Sequence, residues 1–262
     1  ISHFIEHMMF KGTETRNAKE IAEEIDMMGA QINAYTSKEN TEFYCKTLPS
    51  CLKEAIDILG DMICHPRLDE EDLEREKGVV CEEIDMYKDS PDWECLFNML
   101  GAMYHNHPVK IDIAGTKESI SEITADMLFS CYDTFYNLSN MALAVAGNVT
   151  VEEVLEVADR LLEADEPVTV ERAFEEEPEA IVKNYVEAHL PVATPTFCFG
   201  YKESYDTPER SIEEELAKTI ILDVLAGQMS SFYKELLDEG LVNNTFSTEY
   251  FNGDNYAAVI FS

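Results

Sequence analysis

The sequence predicts an α+β fold, with a mixed sheet packed against helices and a second α+β domain that is cut short. Three observations carry this. Long segments place apolar residues at helical spacing, short segments alternate apolar and polar residues, and an acidic stretch divides the chain. Residues 1–10 read as a helix with apolar positions on both sides of a polar stripe. Residues 17–28 read as an amphipathic helix. Asn17 caps it, Glu20 sits three residues on, and Gly29 stops it. Residues 31–36 and 41–48 read as strands joined by the polar 37–40. In the second, Phe43, Cys45 and Thr47 alternate with Glu42, Tyr44 and Lys46. Residues 50–64 are helical, with apolar residues at 52, 55, 56, 59, 62 and 63 and Pro66 beyond. A long acidic helix follows at 69–88. Another, at 91–104, carries the single Trp. Then come a loop at 105–116, a helix at 124–136, a strand at 141–146 and a helix at 151–162. The next 18 residues, 163–180, hold eight acids, one Arg and two Pro, and read as a solvated interdomain linker. The expected organisation is therefore a first domain at 1–163, a linker at 164–180 and the start of a second domain at 181–262. In that second part, 182–188 and 196–201 look strand-like, 208–225 and 231–237 helical, and strands resume after Asn243.

Composition narrows the function. Of 262 residues, 53 are Asp or Glu and 19 are Lys or Arg, a net charge of −34, while 45% are apolar, enough for a real core. A surface this acidic, with no basic cluster, is expected to bind neither nucleic acid nor anionic membranes; it either attracts basic peptides or serves only to keep the surface soluble. No apolar run approaches the roughly 20 residues that span a bilayer. The seven cysteines are odd in number, form no CxxC pair and lie mostly in apolar segments. They read as reduced, buried thiols of a cytoplasmic protein. The chain begins at Ile1 and ends inside an apolar run, so a piece of a longer protein is expected.

The most informative residues are His3-Phe4-Ile5-Glu6-His7. On a helix His3 and His7 stand one turn apart on one face, the separation two imidazoles need to hold one ion. Glu6 can reach a water on that ion. A third ligand has to come from elsewhere, and a fourth position stays open for the water, as a catalytic zinc site requires. Zinc brings the pKa of such a water to about 7, where a carboxylate can take its proton. The order H-x-x-E-H is the inverzincin motif. Five residues alone are a weak signal, and two half-exposed histidines on an ordinary helix would look the same. The acidic helix adds weight. Glu76 and Glu83 lie two turns apart and project from one face, so one could ligate a metal while the other orients a histidine. A solvated acidic face gives the same pattern, and periodicity alone does not choose between carboxylates.

Three blocks, 3–13, 28–37 and 74–83, resemble the pitrilysin/insulinase (M16) metallopeptidases in order and spacing, a family that includes the mitochondrial processing peptidase. Residues 83–93 and 107–115 resemble its bacterial YmfH-like branch more closely still, and the likeness runs through most of 1–163. The resemblance implies a zinc-dependent endopeptidase. His3 and His7 match the histidine ligands, Glu6 the general base, Glu83 the third ligand and Glu76 the glutamate behind a histidine. Residues 31–36 match an edge strand on which a peptide docks as an added strand, with Asn33 and Ala34 beside the scissile bond. Such backbone pairing gives affinity with little demand on sequence. The implied architecture is the LuxS/MPP-like M16 fold, a pair of similar α+β domains per half-molecule. Two halves close a chamber that admits unfolded peptides. By that comparison the chain lacks the first strands of domain one and most of domain two.

One segment departs from the family pattern. Many members carry an Arg and, seven residues later, a Tyr that stabilise the oxyanion. The matching segment here, 234–244, places Leu236 or Leu237 and Asn243 at those positions. A division of labour is implied, in which this chain holds the zinc and a related M16 partner, or a second copy, supplies the Arg and Tyr. The rival function class is a structural or assembly subunit that keeps the fold without catalysis. A metal-dependent hydrolase of non-peptide substrates is a third. Elsewhere, His105 and His107 are expected to be structural, His65 to sit at a helix C-terminus, Asp112 to cap a turn, and Trp93, Phe97, Leu100 and Tyr104 to line a core face.

Overall fold

The computed structural model describes residues 1–161, 166–173, 175–203 and 212–262. In chain order its elements are α1 (Ser2–Met9), α2 (Ala18–Met27), β1 (Gln31–Thr36), β2 (Thr41–Lys46), α3 (Leu52–Cys64), α4 (Glu70–Lys88), α5 (Pro91–Met103), α6 (Lys117–Ser121), α7 (Ala125–Phe135), α8 (Val151–Leu161), β3 (Phe199–Lys202), α9 (Ile212–Ala226), α10 (Ser231–Asp238), β4 (Thr248–Gly253) and β5 (Tyr256–Phe261). Two compact units emerge, residues 1–84 with 113–173, and residues 85–112 with 174–262.

In the first unit α1 buries Phe4, Ile5, Met8 and Met9, which leaves His3, Glu6 and His7 half-buried on its other side. The capping box on α2 is present: Asn17 Oδ1 accepts from the Glu20 amide, and Glu20 Oε2 accepts from the Asn17 amide at 2.8 Å. Gly29, at φ +61°, ends the helix in a conformation that any Cβ would strain, and turns the chain into β1. The β1–β2 hairpin pairs antiparallel from Gln31↔Lys46 to Thr36↔Thr41. Ile32 and Cys45 on one of its faces pack on Ile21 and Ile25 of α2 and Ile58 and Met62 of α3. The loop before α2 is tied to α3 at Asp61, which accepts from Thr13 (2.7 Å), Thr15 (2.8 Å) and Arg16 (2.6 Å). The inner stripe of α4 is Leu73, Glu76, Val80 and Ile84, a carboxylate set into an apolar seam.

In the second unit the antiparallel sheet runs β3-β5-β4, and Leu100, Met103 and Tyr104 of the α5 segment pack on Tyr256, Ala258 and Ile260. The Tyr104 hydroxyl donates to the Ala257 carbonyl at 2.9 Å. His107 is structural, as expected: Nδ1 accepts from the Val109 amide and Nε2 donates to the Asp254 carbonyl at 3.0 Å, a single neutral tautomer. Trp93 stacks on Tyr87, and its indole N–H donates to Asp112 at 2.8 Å. Within the acidic stretch Glu177 is anchored: its carboxylate accepts the amides of His105, Asn106 and His107 and pairs with Lys202 at 2.6 Å.

Several strand expectations are corrected. Residues 141–146 form no ladder among the described residues, and Leu143 is 52% exposed. Their alternation fits a pleated face, but extended backbone becomes a strand only beside a partner. Residues 182–188 are likewise irregular; the Val182 and Lys183 amides both donate to the Ala102 carbonyl, which belongs to helix α5 and not to a strand. The expected 196–201 strand is Phe199–Lys202, and 41–48 ends at Lys46. Residues 208–211 of the expected helix lie outside the described residues. None of the seven cysteines forms a disulfide, and all are half-buried rather than fully buried. Among the described residues no helix is long and apolar enough to cross a membrane.

Candidate metal centre

Helix α1 carries His3, Glu6 and His7 as adjacent turns of one face, and α4 carries Glu76 and Glu83. The structure brings all five together. The His7 Nε2 atom lies 3.3 Å from His3 Nε2 and 3.1 Å from Glu83 Oε2, and His3 Nε2 lies 3.7 Å from the same carboxylate oxygen. Among the described residues, these three side chains form the one cluster spaced to hold a metal ion. An ion holding N and O ligands tetrahedrally at about 2.0–2.1 Å separates them by about 3.3–3.4 Å. The observed spacing brackets that value, and two imidazoles with one carboxylate are one of the donor sets zinc takes in catalytic sites.

The second sphere fixes His7. Its Nδ1 lies 2.9 Å from Glu76 Oε1, and Glu76 Oε2 pairs with Lys11 at 2.5 Å. A carboxylate only accepts, so Nδ1 carries the proton and Nε2 turns its lone pair toward His3 and Glu83. The Glu76 side chain is 4% exposed. Burial pushes its carboxyl up, but the hydrogen bonds from His7 and Lys11 outweigh that and hold it below the ordinary range. The bond to Glu76 is also the main reason His7 is held above its ordinary value. Burial, and then the neighbouring His7, push the His3 imidazole down, towards the neutral form that ligates.

Glu6 lies beside this cluster and takes a different partner. The Thr36 hydroxyl on β1 donates to Glu6 Oε2 at 2.5 Å. Asn33 and Ala34 lie on the same strand, where the Ala34 amide donates to Asn33 Oδ1 at 2.9 Å. Sequence reading missed Lys11 and Thr36. Lys11 lies beyond the end of α1 at Met9 and reaches Glu76 from the turn that follows, so helical spacing does not signal it. Thr36 joins Glu6 across 30 residues, and no local pattern signals it.

Comparison with known proteins decides the family. The insulinase (peptidase family M16) model matches residues 1–117, and the peptidase M16 inactive domain matches residues 122–262. The chain belongs to the M16 peptidase family. It is 34% identical over 95% of its length to YmfH of Bacillus subtilis, described as an uncharacterized zinc protease, and spans 58% of that protein. It is 37% identical, with a TM-score of 0.91, to an M16-like peptidase from Alicyclobacillus acidocaldarius whose crystal structure it covers to 62%. A protein of Arabidopsis thaliana described as a mitochondrial-processing peptidase subunit beta is 32% identical over 73% of the chain, which spans 37% of it. The chain thus spans less than two thirds of the length of these relatives. His3, Glu6, His7, Glu76 and Glu83 all fall in the first matched M16 segment, and the second matched segment holds none of them.

Proposed function

We propose that this chain is the zinc-bearing part of an endopeptidase that hydrolyses extended, unfolded peptides in a closed chamber, beside a related subunit. The observation that carries the reading is the convergence of His3, His7 and Glu83 at 3.1–3.7 Å, with Glu6 alongside and Glu76 behind. His3, His7 and Glu83 would hold zinc, which supplies an acidified water and polarises the scissile carbonyl. Glu76 keeps His7 in the tautomer that ligates. Glu6 takes the proton of the attacking water and returns it to the leaving amine. The free edge of β1, around Asn33 and Ala34, pairs with the peptide backbone, and an incoming strand competes with Asn33 for the Ala34 amide.

Oxyanion donors are the reason for a partner. Leu236 packs on a core, and Leu237 is 42% exposed. The Asn243 side chain holds Thr245 while its carbonyl receives Tyr233. None of these offers a cation or a phenol. One relative is described as a subunit, which suits a heterodimer.

The test is zinc content of the full-length protein, wild type beside Glu83→Gln, with peptide cleavage in the same samples. The expected result is one zinc per chain in wild type, a deficit in the variant and cleavage that follows the metal. Zinc without cleavage until a related subunit is added supports the division of labour, and full cleavage by the chain alone refutes it. A wild type without zinc overturns the enzyme reading and favours a structural subunit.

A further inference from the structure

We infer that Thr36 is a positioning residue for Glu6, the last link of a one-way pair of hydroxyls from Thr41 that holds the base on the strand where the peptide docks. The inference rests on the reading of Glu6 as the base. The Thr36 hydroxyl lies 2.5 Å from Glu6 Oε2, and 3.2 Å from the Thr41 hydroxyl. An ionised carboxylate only accepts, so the single Thr36 proton is committed to Glu6. Thr41 must then donate to Thr36, which turns the Thr41 lone pairs outward. The order of donors is thereby fixed from Thr41 through Thr36 to Glu6. Thr36 and Thr41 are cross-strand partners at the closing rung of the β1–β2 hairpin, which places both hydroxyls together.

The consequence is mechanical. A glutamate has three side-chain torsions and no intrinsic preference for the water. With Oε2 tethered to Thr36, Oε1 is left to take the proton of the water. Because Thr36 is two residues from Ala34, peptide backbone and base are registered by one strand, and distance errors between them shrink. Thr36 touches neither the peptide bond nor the ion, so its loss should slow turnover without weakening either.

The experiment measures kcat and KM for a quenched peptide, together with zinc content, in the full-length protein with any required related subunit present. Variants are Thr36→Val, Thr36→Ser, Thr41→Val, the double variant, and Glu6→Gln as control. Thr36→Val should lose about 10–100-fold in kcat, with KM and zinc content within about twofold of wild type. Thr36→Ser, which keeps the hydroxyl, should return to within about threefold. Thr41→Val should lose less, and nothing further in the Thr36→Val background. The inference is overturned if folded Thr36→Val turns over like wild type, if KM rises or zinc content falls in step with the loss of kcat, or if Thr36→Ser is no better than Thr36→Val. Should Thr36→Val not fold, Thr41→Val decides: a kcat equal to wild type overturns the pair of hydroxyls. A zinc-loaded wild type without cleavage, or Glu6→Gln cleaving like wild type, removes the base reading itself. A dead Glu6→Gln beside an unaffected Thr36→Val removes only the role of Thr36.

Discussion

Replacing Glu76 by Gln exchanges one carboxylate oxygen for an amide nitrogen at the back of His7. In the native side chain Oε1 faces His7 Nδ1 at 2.9 Å and Oε2 faces Lys11 at 2.5 Å. Glutamine offers a single acceptor oxygen, so the two donors are no longer both satisfied. If that oxygen stays with His7, the amide N–H groups oppose the Lys11 ammonium, which must swing to solvent. If the amide turns round, it donates to Nδ1, the imidazole proton moves to Nε2, and the ligand lone pair is gone. Either outcome weakens the imidazole as a ligand. The loss should be about 10–100-fold in zinc affinity, or about 1.4–2.7 kcal/mol. Competition titration against a chromophoric chelator at neutral pH reads it, with a thermal melt to confirm folding. Lys11→Met should shift affinity the same way and less, because the Glu76–His7 bond survives. Zinc affinity of folded Glu76→Gln within about threefold of wild type would refute the reasoning.

Other outcomes follow from the same contacts. Asp61→Asn removes a carboxylate that accepts from Thr13, Thr15 and Arg16, and urea unfolding should report a loss of about 2–3 kcal/mol. An unchanged midpoint would show that the loop before α2 is held by something else. Burial pushes the Glu177 carboxyl up, but Lys202 and three backbone amides outweigh it and bring the group from 4.5 to about 2. A carboxyl depressed on folding stabilises above its unfolded value and loses that contribution as pH falls through its folded value. Wild type should therefore lose stability between about pH 4.5 and 2. Glu177→Gln should be less stable by about 1–2 kcal/mol at pH 7, after allowance for solvent screening, and flatter across that acid range. Parallel pH profiles for the two proteins would contradict the anchoring role.

How legible the molecule was depended on the range of each interaction. The helices α1 to α5 and the β1–β2 hairpin were readable because their signals are local: the Asn17–Glu20 box, the stop at Gly29, and alternation around Phe43 and Cys45. Residues 141–146 carry a strand's alternation without a strand's partner, and pairing is not written in the segment itself. The ligand face of α1 was visible in helical spacing. The choice of Glu76 and Glu83 among many carboxylates needed the family resemblance, and the geometry explains it: Glu76 lies in the apolar seam of α4, and Glu83 reaches the two imidazoles. Thr36 stayed hidden because its partner lies 30 residues away, and Glu177 because an acidic stretch looks solvated until three amides converge on one member.

The central claim is that Glu6 is the base of a zinc peptidase whose metal is held by other side chains. Glu6→Gln keeps the size of the side chain and all three ligands. Zinc content and peptide cleavage, measured together on the full-length variant, should show wild-type zinc and a loss of cleavage of about 10²–10⁴-fold. Zinc retained with cleavage equal to wild type would contradict the claim.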